Sequence, residues 1–276
     1  MSNAETKGRE ITRTVRERYG RAAEGQAECC GSSCCGEERD AAEVSRAIGY
    51  TEAELATLPE GADLGLGCGN PTAIASLAEG EVVMDLGSGA GIDCFLASRQ
   101  VGATGRVIGV DMTPQMLERA RANAARGGFD NVEFRLGEIE ALPVADSVVD
   151  VVLSNCVLNL VPDKARALSE AYRVLRPGGR LAISDMVSDV DPPSELKDDL
   201  DAIAACLPIR RDSYLRQLEE AGFEDVSIVS ERRYPAEHLL ADPGVKRALE
   251  AHPELAPAIE RFAEGIYGAH FEGVRR

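Results

Sequence analysis

The stretch Val82-Val83-Met84-Asp85-Leu86-Gly87-Ser88-Gly89-Ala90-Gly91-Ile92-Asp93 decides the fold. Its first five residues form a short, mostly apolar run, which reads as a strand buried on both faces. Three glycines follow where such a strand turns into a helix. There the backbone must bend sharply, and a ligand must approach without a Cβ in the way. Outward from this turn the chain alternates. Ile92 to Gln100 reads as helix, Arg106 to Asp111 as the second strand, and Thr113 to Arg126 as a helix with Thr113 at the N-cap and Pro114 at N1. Val132 to Leu136 and Val149 to Ser154 give the third and fourth strands. A helix over Asp163 to Leu175 is stopped by Pro177-Gly178-Gly179, and Arg180 to Met186 is the fifth strand. Val226 to Glu231 and Ile266 to Val274 supply a sixth and a seventh, with helix over 237–264. Strands separated by helices predict an α/β fold: a doubly wound, mostly parallel seven-stranded sheet with a C-terminal helical and strand extension.

Three regions follow: a Cys-rich N-terminal arm with short helices over 1–60, a cofactor-binding domain over 61–190, and a region over 191–276 that covers the substrate and completes the sheet. In the first, Ile11, Val15 and Tyr19 mark one weak amphipathic helix. Cys29, Cys30, Cys34 and Cys35 lie in a Gly-, Ser- and Glu-rich arm. Thr51 with Glu54 reads as a capping box, and Gly61 to Pro71 as a Gly-rich loop.

Composition narrows the chemistry. The 276 residues carry a formal charge of −17, no Trp and 4% aromatics. An acidic surface repels phosphate backbones and offers bases little to stack on, which excludes nucleic acid. No apolar run approaches the roughly 18 residues of a membrane span, and Met1 to Arg21 lacks the apolar core of a secretory signal. A cytoplasmic, reducing setting is expected, and no membrane partner. Eight Cys beside three His are therefore core residues or chemistry rather than a disulfide scaffold.

A glycine turn with Asp111 closing the next strand suits either a nicotinamide dinucleotide or S-adenosylmethionine, since a carboxylate there accepts ribose hydroxyls. Three details favour S-adenosylmethionine. Asp85 just before the turn would repel a pyrophosphate but suits a cationic amino-acid end. Gly137-Glu138-Ile139-Glu140 places acid where an adenine amino group would sit, and the Pro-Gly-Gly turn precedes the fifth strand. The expected cofactor-binding residues are Asp85, Gly87, Ser88, Gly89, Gly91, Asp111, Met112, Glu138, Ile139 and Asn155. Over Glu79 to Met186 the chain resembles the class I S-adenosylmethionine-dependent methyltransferases, whose fold is Rossmann-like.

Methylation of oxygen or nitrogen generally needs a base, yet His238, His252 and His270 all lie far along the chain from the glycine turn. Cys156, directly after the fourth strand, lies where ligands sit in such sheets. Cys68 precedes the cofactor domain and Cys206 follows the fifth strand. Three thiols from three segments can converge over the pocket, and thiolates favour soft, thiophilic centres. Trivalent arsenic takes three sulfur ligands and keeps a lone pair. That lone pair is the nucleophile, so no base is required. In this reading deprotonated Cys68, Cys156 and Cys206 hold As(III), whereas Cys94 packs in the core. Two rivals stay open: a methyltransferase of a small organic acceptor such as a quinone, and a non-catalytic metalloid-binding protein.

The strings GLGCGNP, VVMDLGSGAGIDCFLA, NVEFRLGEIEALPV, VVLSNCVLNLVPDKARAL and VLRPGGRLAISD closely resemble arsenite methyltransferases over residues 60 to 275. The resemblance implies that Cys68, Cys156 and Cys206 bind the trivalent arsenical. It also implies that Cys34 or Cys35 pairs with Cys68 while the metalloid is re-reduced, with thioredoxin or glutathione as the external thiol reductant. A small-molecule substrate (arsenite or methylarsenite) and a monomeric chain are expected. One departure stands out: after Cys206 the family usually continues with small residues including Gly-Ala, whereas here Leu207-Pro208-Ile209 intervenes.

Overall fold

The computed structural model describes residues 3–25, 40–233 and 253–276, together with residues 236, 240, 246, 249 and 250. Cys29, Cys30, Cys34, Cys35, His238 and His252 lie outside the described residues, as do residues 237–239, 241–245, 247, 248, 251 and 252 of the helix expected over 237–264. The strands are β1 (Val82–Leu86), β2 (Arg106–Asp111), β3 (Val132–Leu136), β4 (Val149–Asn155), β5 (Leu175–Ser188), β6 (Ile209–Arg210), β7 (Glu224–Arg233) and β8 (Ile266–Val274). Helices are α1 (Asn3–Ala23), α2 (Ala41–Ile48), α3 (Glu52–Leu55), α4 (Ile92–Val101), α5 (Pro114–Gly127), α6 (Lys164–Val174), α7 (Leu200–Ala204), α8 (Arg211–Glu220) and α9 (Ala256–Glu264).

The strand order is β3-β2-β1-β4-β5-β8-β7. β1 to β5 are mutually parallel, and β8 runs antiparallel between β5 and β7. Alternation along the central strands sends Val83, Val107, Val151 and Leu153 into one layer with Phe95, Leu117 and Ala120 of α4 and α5. Met84, Ile108, Val152 and Ile183 enter the other layer, with Leu168 of α6 and Leu218 of α8. Both faces are thus covered, as a parallel sheet requires.

Three features differ from the sequence reading. The sheet has eight strands rather than seven: Ile209 and Arg210 pair with Val187 and Ser188 of β5. Two residues are too few to show a strand period. Ile209 belongs to the Leu207-Pro208-Ile209 departure, so this chain ties that segment to the C-terminal end of β5. Leu175 already pairs with Val149, so Pro177-Gly178-Gly179 lies within β5 at a register shift. Finally, α1 is a 21-residue helix, with Ile11 and Val15 buried beside Leu160 and Ala204. The capping box of α3 is present: Glu54 N donates to Thr51 Oγ1 (3.2 Å) and Thr51 N to Glu54 Oε2 (2.7 Å).

Candidate functional site

From β1 the strand order runs one way through β2 to β3, and from β4 the other way to β5. The crevice beyond the carboxyl ends of β1 and β4 is where ligands settle in such sheets. A pocket there encloses about 1090 Å³, open solvent at its mouth included. Asp85, Gly87, Ser88, Gly89, Asp111 and Met112 line it, with Ile139, Asn155 and Cys156. Gly91 caps α4 with φ 101, and a Cβ on Gly87 (φ 69) would fall 2.5 Å from a Val157 methyl. Asp111 accepts from Gly89 N (2.9 Å) and Thr113 N (2.8 Å), so it also pins the glycine turn. Glu138 is a correction. It is not among the lining residues, because its half-exposed carboxylate pairs with Arg16 of α1 at 3.0 Å, while Ile139 and Glu140 line the pocket.

Two buried oxygens of the pocket wall, Ser88 Oγ and Asp63 Oδ2, have no hydrogen-bond partner among the described residues. Asp63, Asp85 and Asp93 put three carboxyl groups on the wall. Burial pushes the Asp93 carboxyl up to about 6, and burial and then the Asp93 charge push Asp85 up. This environment suits a cationic amino-acid ligand and rejects a pyrophosphate. It fits S-adenosylmethionine, with its ammonium and sulfonium, and not a nicotinamide dinucleotide.

Asn155, at the end of β4, joins this pocket to the thiols. Its Oδ1 accepts from Cys68 N (3.1 Å), and its Nδ2 lies within hydrogen-bonding distance of Gly69 O (2.8 Å), Asp93 Oδ2 (3.0 Å) and the Tyr50 hydroxyl (2.9 Å). The Tyr50 hydroxyl in turn donates to Asp93 Oδ1 at 2.7 Å. Gly69 packs so closely that a Cβ would overlap Ser184 Oγ.

The three segments do converge. Cys156 Sγ and Cys206 Sγ are 3.1 Å apart. Ligand atoms of Cys68, Cys156 and Asp185 all lie within 4.8 Å of one another. Cys68 Sγ donates to Ser184 O at 3.6 Å, and Cys156 N to the same carbonyl at 2.7 Å. Cys156 (φ 59) and Cys206 (φ 66) both hold left-handed backbone, uncommon outside Gly and Asn. Burial pushes the Cys68 thiol up to about 12. A hydrogen bond from Cys206 works to lower Cys156, but its bond to Cys68 and burial outweigh it and push the thiol well up. Cys206 is raised by its bond to Cys156 and then by burial. In the free protein all three thiols are thus held towards the protonated form, and their deprotonation belongs to ligand binding. Cys94 is a core residue, fully buried, its thiol donating to Asp85 Oδ2 at 3.3 Å.

Asp185, at the thiols, was missed, although an acid near the end of a parallel strand in LAISD was a legible signal. Burial pushes it up to about 6. Sequence distance also misled for His270. Its strand β8 pairs it with Ser184, and a Cβ on Gly69 would fall 2.5 Å from its Nε2. Its Nδ1 lies 2.7 Å from Ser230 Oγ, and burial lowers its pKa. Thr12, Val15 and Tyr19 of α1 line the pocket too.

A family of methyltransferase domains matches residues 77–222. The arsenite methyltransferase of Halobacterium salinarum is 50% identical over 230 residues, 79% of this chain and 59% of that protein. That of Aquipseudomonas alcaligenes is 40% identical over 202 residues, 70% of this chain and 56% of the relative. The chain thus spans somewhat over half the length of these curated relatives. The X-ray structure of CrArsM, an arsenic(III) S-adenosylmethionine methyltransferase from Chlamydomonas reinhardtii, superposes with a TM-score of 0.62 at 31% identity, covering 84% of this chain and 73% of that one.

Proposed function

Since the chain belongs to the arsenite methyltransferase family, we propose that it transfers a methyl group from S-adenosylmethionine to trivalent arsenic held by Cys68, Cys156 and Cys206. The observation that carries this reading is the meeting of these thiols, from three separate segments, beside the pocket at the β1–β4 crevice.

When bound, S-adenosylmethionine supplies an electrophilic methyl on a sulfonium sulfur. Asp63 and Asp85 face its ammonium and Ser88 gains a partner, while Gly87, Gly89, Gly91, Asp111, Met112 and Ile139 shape the rest of the cradle. The neutral thiols meet neutral arsenous acid. Each Sγ gives its proton to a departing hydroxyl, so three As–S bonds form and three waters leave without an external base. Arsenic keeps its lone pair, and no side chain has to remove a proton for that pair to attack carbon. Placement of the two reactants then supplies most of the rate, and holding reactants in line is worth about 7–11 kcal/mol. Methylation oxidises arsenic by two electrons. A dithiol such as thioredoxin, or two glutathiones, returns them, with Cys34 or Cys35 and Cys68 as the chain's share of that relay. The protein acts as a cytoplasmic monomer; no described helix is long and apolar enough to cross a membrane.

Incubation with arsenite, S-adenosylmethionine and a thiol reductant, followed by chromatographic separation of arsenic species, is expected to give methylated arsenic. Cys156→Ser is expected to lose arsenite binding and methylation while retaining S-adenosylmethionine. Undiminished methylation by that variant overturns the assignment, and formation of a methylated quinone with arsenite untouched favours an organic acceptor.

A further inference from the structure

The thiol array includes a carboxylate that neither the cofactor pocket nor the arsenic–sulfur bonds require. Asp185 is fully buried on β5. Its Oδ1 lies 3.8 Å from Cys206 Sγ, and one of its oxygens falls within 4.8 Å of the Cys68 and Cys156 sulfurs. Burying such a group is costly unless donors surround it. Three do: the Tyr214 hydroxyl donates to Oδ2 (3.0 Å), and Asn159 Nδ2 (2.9 Å) and Met186 N (2.8 Å) donate to Oδ1. Lys164 is the cation of this neighbourhood. Its ammonium is held by the carbonyls of Asn159 (3.3 Å) and Val161 (3.1 Å), and it forms no ion pair with Asp185 within 4 Å. The carboxylate is therefore fixed beside the sulfurs rather than drawn onto a counter-ion.

The charge balance of the proposed reaction gives that placement a purpose. Arsenic bound by three sulfurs is neutral. As its lone pair forms the As–C bond, the C–S bond of the sulfonium breaks and its electron pair goes to sulfur. The positive charge thus leaves sulfur and appears on arsenic. No proton moves. A group that stabilises the transition state more than the ground state must respond to that new charge. We propose that Asp185 is a catalytic residue, the fixed counter-charge for the positive charge that develops on arsenic as it is methylated.

This inference rests on the methyl-transfer reading, so its test pairs single-turnover methylation with binding measurements that need no cofactor. Asp185→Asn removes the charge and little volume. Arsenite affinity is followed by calorimetric titration of the reduced protein in the absence of cofactor. In Asp185→Asn, arsenite affinity is expected within about twofold of wild type, which also reports an intact fold, since binding needs three segments in place. Single-turnover methylation is expected to fall roughly a hundredfold, the scale of one lost electrostatic contact at a reacting centre. Asp185→Glu, which keeps the charge, is expected to recover part of that loss. An unchanged methylation rate overturns the proposal. So does a rate loss that merely follows lost arsenite binding, or a Glu variant no better than the Asn variant. If wild type binds arsenite but never methylates it, the methyl-transfer reading fails instead.

Discussion

Replacing Asn155 by Ala is expected to damage arsenite binding far more than folding. The amide makes four contacts, but the Tyr50 hydroxyl and Asp93 keep each other after its loss. The groups that lose the amide are Cys68 N and Gly69 O. An unsatisfied buried group costs roughly 1–3 kcal/mol, giving an upper range of roughly 2–6 kcal/mol for the two. Both lie in a loop between elements, which can shift to relieve part of the loss, so about 2–3 kcal/mol is the working value. This falls on the segment carrying Cys68, not on the sheet core. Because each 1.4 kcal/mol is tenfold in affinity, the arsenite dissociation constant is expected to rise roughly 30- to 150-fold. Calorimetric titration of the reduced protein with arsenite measures it. A parallel titration with S-adenosylmethionine should show less than about a tenfold change, and the melting temperature a drop of only a few degrees. Arsenite affinity within twofold of wild type refutes the idea that this side chain holds the third thiol in place.

Ser88→Ala removes an oxygen without a partner among the described residues, so thermal melting is expected to be unchanged, while S-adenosylmethionine affinity falls about tenfold by equilibrium dialysis. Arsenite binding should be independent of pH from 6 to 8 and release no net protons, because all three thiols are raised above their usual range and deliver their protons to leaving water; equal apparent heats in buffers of different ionisation enthalpy check this. The Asp93 carboxyl is raised to about 6. A raised carboxyl favours the native state below its unfolded value near 4 and costs stability as pH rises towards 6. Between pH 4 and 6 the melting temperature of Asp93→Asn should therefore fall less, or rise more, than that of wild type.

The glycine turn and the strands around it were legible because each is a short apolar run ended by turn residues. β6 was not, since two residues carry no period. α1 was underestimated because charged residues flank Ile11 and Val15, and its tertiary contacts, not its sequence, set its length. Convergence of Cys68, Cys156 and Cys206 followed from chemistry rather than spacing, and the structure brings them together. Asp63, Tyr50 and the shared role of Asn155 left no mark in the sequence, because each depends on contacts between segments far apart. His270 shows the same limit: strand pairing, not chain distance, puts it beside the Cys68 loop.

The left-handed backbone at Cys156 and Cys206 bears on how this protein can be altered. An L-residue in that conformation gives up about 1 kcal/mol or more relative to Gly, and Asn accepts it with less strain. Screening for thermostability alone will therefore favour Gly or Asn at these two positions and enrich clones that have lost the thiols proposed to bind arsenic. Any programme to harden this chain for use at high temperature has to withhold positions 156 and 206 from randomisation, or select for methylated product at every round.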